Sequence, residues 1–356
     1  MLKIVSKSEI SPLKENLLRV LAVVIAFLCA AIIMYFMGYN PLEVYKQIVF
    51  GSVGQLARFQ RTVGKAIPLL VLSLGTAVAF KMKFWNIGAE GQFYLGAFGA
   101  SLVAFNAGDL PPYILIPLMF VSAFVFGGLY ALIPAYLKVK FTTSETLVTL
   151  MLNYIAIAFI DFLQNGPWKD PGAQGAAKIA NYPDSAILPK VFGINIGWII
   201  ALVLVVIVYI LLNKTKLGYE ISVLGESETT AKYAGMNVTK ITILTILISG
   251  GLCGLAGVIQ SSSAASISLS SQLSAGLGFT AVITTWLAKL SPPVTIITSF
   301  MFAMLIQGGS TLQIALNISP AMSSILQGII IFFVLGSEFF LRYRIVYKKK
   351  AKKEVA

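Results

Sequence analysis

The sequence contains no histidine and only two cysteines. Without histidine there is no Ser-His-Asp triad, no HExxH zinc helix and no imidazole acid–base chemistry. Cys29 and Cys253 both sit inside apolar runs, so neither a disulfide framework nor a thiolate metal cluster can be assembled from them. Charge is scarce as well. Only 12% of the 356 residues are charged, against roughly a quarter in a soluble domain. A water-soluble surface cannot be made from so little. No GxxxxGK(S/T) phosphate loop occurs, so nothing here cradles ATP, and no cofactor is expected on this chain. An enzyme built from it would have to rest its chemistry on few carboxylates.

What is present is apolar: 57% hydrophobic residues and a mean hydropathy of +0.85. The expected fold class is an all-α polytopic membrane protein. A spanning helix needs about 20 mostly apolar residues, and about ten candidates are found. Six are clear, at 17–38, 112–137, 146–163, 193–212, 241–259 and 321–341. Four are shorter or more polar, at 65–80, 92–106, 277–290 and 294–316. Short spans interrupted by glycine are the mark of discontinuous helices around a site; the alternative is tilted helices shielded by neighbours. Lys3, Lys7, Lys14 and Arg19 precede the first run without a small-x-small cleavage site, so an uncleaved first helix is expected.

The net charge of +13 follows topology rather than nucleic acid. With the N-terminus in the cytoplasm, most of the 27 Lys and Arg residues fall on the inner side. They include Lys81, Lys83, Lys138, Lys140, Lys214, Lys216, Lys232, Lys240, Lys289 and the basic tail 342–356. The segments at 46–65 and 165–192 then lie outside. Both termini are expected in the cytoplasm. The loop at 165–192 is rich in Pro, Gly and Ala, and either folds over a pore mouth, meets a partner, or is a solvated connector.

Two stretches carry the functional reading. FWNIGAEGQFY, residues 84–94, sets Asn86, Glu90 and Gln92 in the most apolar part of the chain. Such groups are costly in lipid unless they line something polar. The candidate pathway residues are Phe84, Trp85, Asn86, Glu90, Gln92, Asn153 and Trp286, with Tyr94, Tyr154, Gln307 and Gln327 as further candidates. Aromatic rings offer flat faces for stacking, and amides offer hydrogen-bond donors and acceptors. Each has a plainer reading that stays open. Glu90 is either a pathway acid or a structural acid bonding the backbone of a broken helix. Trp85 is either a stacking platform or an interfacial anchor. Asn153 and Gln307 either touch a substrate or hold helices together.

The second stretch is the inner loop 213–240. A short helix is expected at 227–235, stopped by Gly235 in the left-handed cap conformation. Held out from the bilayer, it is a docking knob for a soluble partner; the other reading is an interfacial helix lying on lipid. Gly225, Glu226, Ala231, Lys232, Ala234 and Gly235 are its candidate contact residues.

These residues carry a family resemblance. The loop around Gly225, Ala231 and Ala234–Gly235 resembles the coupling loop of ATP-binding-cassette import permeases. Residues 84–92 resemble the NIGAEGQ segment of the branched-chain amino acid/ribose/nucleoside permease family, most of all its nucleoside subgroup. ETLVTLMLNYIA at 145–156 and GLGFT at 276–280, followed by Ser-Pro-Pro at 291–293, are similar to two further segments in the same order. The sequence departs from the subgroup at Thr284, Thr285, Trp286, Ala288 and Lys289. The resemblance implies a single transmembrane permease domain over 1–356 in the bacterial cell membrane. It implies import of nucleosides, of purine type, delivered by an extracellular binding lipoprotein. It also implies a separate ATPase chain that uses the ATP, and a second permease that is a different chain. A simple-sugar or branched-chain amino acid permease is the alternative within the family. An ion-coupled secondary transporter is the alternative outside it, disfavoured by the few intramembrane acids.

Overall fold

The computed structural model describes residues 2–6, 12–173, 175, 177–264, 266–316, 319, 321, 325, 328–329, 332–333 and 343–347. Two compact units divide the chain, Leu56–Ala303 on one side and Met1–Gln55 with Met304–Ala356 on the other.

In the unit formed by the two ends, α1 (Pro12–Phe36) and α2 (Pro41–Val53) meet at a bend of 116°. Gly38, at φ +84°, turns the chain. Asn40 then caps α2 by accepting from the Leu42 amide at 3.1 Å, and Pro41 supplies the first helical residue. Ala30, Met34, Val44, Ile48 and Leu312 form the core of this unit. Strands β1 (Leu2–Ser6) and β4 (Tyr343–Tyr347) pair antiparallel, with Leu2 opposite Tyr347. The pairing brings residues 2–6 and 343–347 together.

The larger unit holds α3 (Leu56–Lys81), α4 (Ala89–Asn106), α5 (Pro112–Phe141), α6 (Glu145–Asn165), α7 (Gly197–Lys214), α8 (Lys216–Glu226), α9 (Glu228–Tyr233), α10 (Val238–Ser261), α11 (Leu277–Leu287) and the first part of α12 (Pro292–Leu316). Its centre is α10, against which α3, α4 and α5 pack. The sequence of α10 explains this position. Gly250, Gly251, Gly254 and Gly257 leave it almost without side chains on the inner faces, so neighbouring backbones reach it directly. A Cβ built on Gly254 would run into the Ala123 carbonyl of α5, and one on Gly96 of α4 would run into Gly254.

The loop 165–192 is more than a connector. The Tyr182 amide donates to the Ile267 carbonyl and the Leu188 amide to the Ser262 carbonyl, each at 2.9 Å. Trp168 stacks on Phe98 of α4, with ring centroids 5.3 Å apart. This loop and the serine-rich loop after α10 are thus stitched together. Lys190–Val191 (β2) and Ile194–Asn195 (β3) close it as a two-residue hairpin ladder.

Among the described residues, six helices are long and apolar enough to cross a membrane: α3, α5, α6, α7, α10 and α12. The bent pair Val24–Phe36 with Pro41–Val53 counts as a seventh when taken as one span. The difference from the ten expected has physical causes. The 92–106 candidate is α4, whose first turn carries Glu90 and Gln92 and which is buried along most of its length. The 277–290 candidate is an eleven-residue helix, too short to span. Most of 321–341, with Gln327, and most of the tail 342–356 lie outside the described residues. The segment 46–65 is helical rather than a loop: α2 runs to Val53, and α3 starts at Leu56, nine residues before the expected 65.

Candidate functional site

The chain leaves α3 in a tight turn. Lys83 takes φ +57°, and the Phe84 amide returns to the Ala79 carbonyl at 3.2 Å. Residues 84–88 then lead into α4 through two tight turns, the Asn86 amide to the Phe84 carbonyl at 2.8 Å and the Ile87 amide to the Trp85 carbonyl at 3.1 Å, and the Asn86 side chain is engaged within the protein. Asn86 and Gln92 form a reciprocal amide pair, with both bonds at 3.0 Å. Asn86 also donates to Ser249 Oγ of α10 at 3.3 Å and accepts from the Gly88 amide at 3.0 Å. From α6, Asn153 accepts from the Gly91 amide at 2.8 Å and donates to the Ile87 carbonyl at 2.9 Å. Thr149, one turn earlier, accepts from the Ile87 amide at 3.3 Å.

Glu90 is 2% exposed. Its two carboxylate oxygens accept from the Gly278 amide at 2.6 Å and the Gly276 amide at 3.2 Å. It therefore caps α11, whose orphan amides and positive dipole end favour an anion. Gly278 permits the approach: a Cβ there would collide with the Glu90 backbone. Tyr94, one turn along α4, donates to the Ser271 carbonyl at 2.7 Å and accepts from the Ser274 amide at 3.3 Å. The body of α11 is fixed to α3 by hydroxyls. Thr285 bonds Thr76 at 2.6 Å and the Ser73 carbonyl at 2.9 Å, and Thr284 bonds Ser73. Thr284 and Thr285, where the sequence departs from the nucleoside subgroup, thus hold two helices together.

The aromatic candidates behave differently. Phe84 is buried, with the Lys138 ammonium 5.0 Å above its ring, and Lys138 is itself paired to Glu145 at 2.6 Å. Trp85 is 43% exposed. It stacks on Trp286 of α11 at 5.4 Å and 20°, and Phe80 touches both rings. Of the candidate pathway residues brought together here, this pair alone offers an accessible ring face. Tyr154 does not join the cluster; it points outward from α6. Gln307 is buried in α12 and belongs to the unit formed by the two ends.

The loop 213–240 contains two helices where one was expected. Thr215 caps α8 by accepting from the Gly218 amide at 3.1 Å, and Ser227 caps α9 by accepting from the Thr230 amide at 3.2 Å. α9 occupies 228–233 of the expected 227–235, and Gly235, at φ +74°, supplies the stop. Ala231 is its buried residue. Glu226, Lys232, Ala234 and Gly235 are exposed, and Lys232 pairs with Glu228 at 2.7 Å. Gly225 lies directly against the Lys81 carbonyl at the end of α3, with no room for a Cβ. A cavity of about 280 Å³ opens beside this contact, walled by Met82, Lys83, Phe84 and Lys138 on one side and by residues 224–228 on the other.

Sequence reasoning missed Ser249, Thr149, Gly276 and Gly278 as partners of the strap. Thr149 was accessible: it stands four residues before Asn153, on the same face of one helix. The others lie 163 to 188 residues from the side chains they bond, beyond any local pattern.

Comparison with known proteins agrees along the chain. Residues 59–335 match the family described as "Branched-chain amino acid transport system / permease component". The glucose ABC transporter permease protein TsgB13 of Haloferax volcanii is 29% identical over 92% of this chain and 88% of its own length. The nucleoside ABC transporter permease protein NupB of Lactococcus lactis is 30% identical, over 90% and 91% respectively. The guanosine ABC transporter permease protein NupP of Bacillus subtilis is 28% identical, over 91% and 94%. Apolar helices around a glycine-lined α10 and a match spanning most of the sequence lead to one conclusion: this chain belongs to the branched-chain amino acid transport system permease family, the multi-pass ABC-type permeases of the cell membrane.

Proposed function

We propose that this chain is the transmembrane permease subunit of an ATP-driven importer of nucleosides, of purine type. The observation that carries the reading is full-length similarity to two permeases named for nucleosides and guanosine, NupB and NupP. The exposed ring of Trp85, stacked on Trp286, adds a surface on which a base stacks at about 1–3 kcal/mol. An extracellular lipoprotein delivers the nucleoside. A separate ATPase chain binds and hydrolyses ATP, since these 356 residues contain no phosphate loop. A second, different permease completes the pathway. Both ends of the chain and the α8–α9 hairpin lie in the cytoplasm, where the exposed Glu226, Lys232, Ala234 and Gly235 form the surface that meets the ATPase, and the buried Gly225 and Ala231 seat the hairpin behind it.

Sugar import is the second reading, because the Haloferax glucose permease is as similar as the nucleoside permeases are. Uptake of radiolabelled guanosine and adenosine by a strain lacking the chain, before and after complementation, separates the two. Restored nucleoside uptake that excess ribose or glucose does not compete is the expected outcome. Restored glucose or ribose uptake with no change for any nucleoside overturns it.

A further inference from the structure

Glu90 is a buried acid whose hydrogen bonds all stay within the protein. Its carboxylate does not face open space; both oxygens are taken by the first amides of α11. The strap that carries Glu90 starts at the Lys81 carbonyl, the group against which Gly225 of the α8–α9 hairpin is pressed. Between these ends the strap has little freedom. Phe84 is buried beneath Lys138, and the Trp85 amide reaches Glu145 at 3.5 Å. Asn86 is tied to Gln92 and Ser249, and Asn153 holds Ile87 and Gly91. Beyond Glu90, α11 is bolted to α3 through Thr284 and Thr285 and ends at Trp286, whose ring stacks back on Trp85. The contacts therefore close a ring of strap, α11 and the exposed aromatic pair, and the hairpin abuts this ring at Lys81. Small displacements pass through packed, fully hydrogen-bonded segments of this kind because such segments cannot deform continuously.

We propose that residues 82–92 are a transmission strap, and that Glu90 is a positioning residue that couples the α8–α9 hairpin to α11 without touching substrate. The proposal rests on the reading above that the hairpin receives the ATPase. It assigns Glu90 a role distinct from the two open at the sequence level. A pathway acid contributes to substrate affinity. A purely structural acid contributes to folding. A positioning acid contributes to turnover.

The test is Glu90→Gln, which keeps the side chain's size and one acceptor oxygen while removing the charge and the second acceptor. Proteoliposomes would hold the assembled importer, supplied with radiolabelled guanosine and the binding lipoprotein. The expected result is a fall of about tenfold in maximal uptake at unchanged KM, with ATP hydrolysis retained so that more ATP is consumed per guanosine. Gly225→Ala, at the other end of the strap, should give the same signature with the ATPase still copurifying. A raised KM with unchanged maximal uptake would place Glu90 in the path and overturn the proposal. So would normal coupling in both variants, or loss of both variants from the membrane. Wild-type guanosine uptake in the same preparation keeps the two readings apart: its absence sinks the substrate assignment, whereas its presence alongside normally coupled variants sinks the strap.

Discussion

α4 and α7 are each 18 residues long, and they are opposites. α7 is almost wholly aliphatic. Its buried residues, Gly197, Ala201, Val205, Val208 and Leu212, form one narrow stripe of mostly small side chains, while Leu202, Val203, Val206, Ile207 and Ile210 are exposed. α4 carries Glu90, Gln92, Tyr94 and Ser101 and is buried along most of its length, from Ala89 to Ala104. In a soluble protein the more apolar helix would be the inner one. Here the bilayer is the solvent, and the order inverts: long aliphatic side chains face lipid, whereas small and polar ones make the helix–helix core. The polar groups of α4 are tolerable because each finds a partner, Asn86 with Gln92, and Glu90 with two amides.

The comparison breaks if substitutions on the two helix types cost the same. The largest effect is expected where α10 meets α4 and α5. Gly254→Val places a side chain against the Ala123 carbonyl and Gly96, and should cost about 3 kcal/mol or more, read as loss of folded chain after mild detergent extraction. On α7, Val206→Leu adds a carbon to a lipid-facing position and should shift stability by less than about 0.5 kcal/mol. Val206→Lys asks the converse question. It should lower membrane insertion by about 2.5–3.5 kcal/mol, the cost of a cation near the middle of a span. Tolerance of lysine there would mean that Val206 faces a polar cavity, and the assignment of α7 to lipid would fail.

An intermediate effect is expected from the amide pair. Asn86→Ala and Gln92→Ala remove opposite ends of the same two hydrogen bonds. The double variant should therefore lose less than the sum of the singles, with an interaction energy of about 1–3 kcal/mol in detergent unfolding. Strict additivity would mean that each amide acts through other partners, Ser249 for Asn86 first among them.

The inversion also governs how much could be read without coordinates. The lipid-facing helices were legible: uninterrupted apolar runs locate α5, α6 and α7 within a few residues, and the apolar run of the central α10 locates it equally well. The stop Gly235 and the helix-tolerant residues before it located α9 by local chemistry alone. α2 and the first turns of α3 were not legible, because Lys46, Arg58, Arg61 and Lys65 lower the hydropathy of residues that are nonetheless helical. α8 was missed because an amphipathic helix of eleven residues has no long apolar run. At the site, residue types standing out from their surroundings pointed to Asn86, Glu90 and Gln92. Their roles were hidden, since Glu90 and Asn86 bond groups that come next to them only when α10 and α11 are in place.

The smallest expected effect sharpens the comparison most. Tyr154 lies one residue beyond Asn153 in the same motif, yet Asn153 is buried against the strap while Tyr154 is 65% exposed among Leu147, Met151, Ile155 and Phe162. One step along a helix turns a side chain by about 100°, so the two belong to different surfaces. Tyr154→Phe should leave uptake of the transported substrate, guanosine on the proposal above, within about twofold of wild type and stability within about 0.5 kcal/mol. Asn153→Ala should lose stability, because it strands the Gly91 amide and the Ile87 carbonyl. A large loss of uptake in Tyr154→Phe with stability intact would show that the outer face of α6 meets something with a hydrogen-bonding demand, the second permease or the substrate itself. The rule drawn from α7, that exposed apolar helix faces belong to lipid, would then not extend to α6. The translocation path would lie along that face rather than at the Trp85–Trp286 pair.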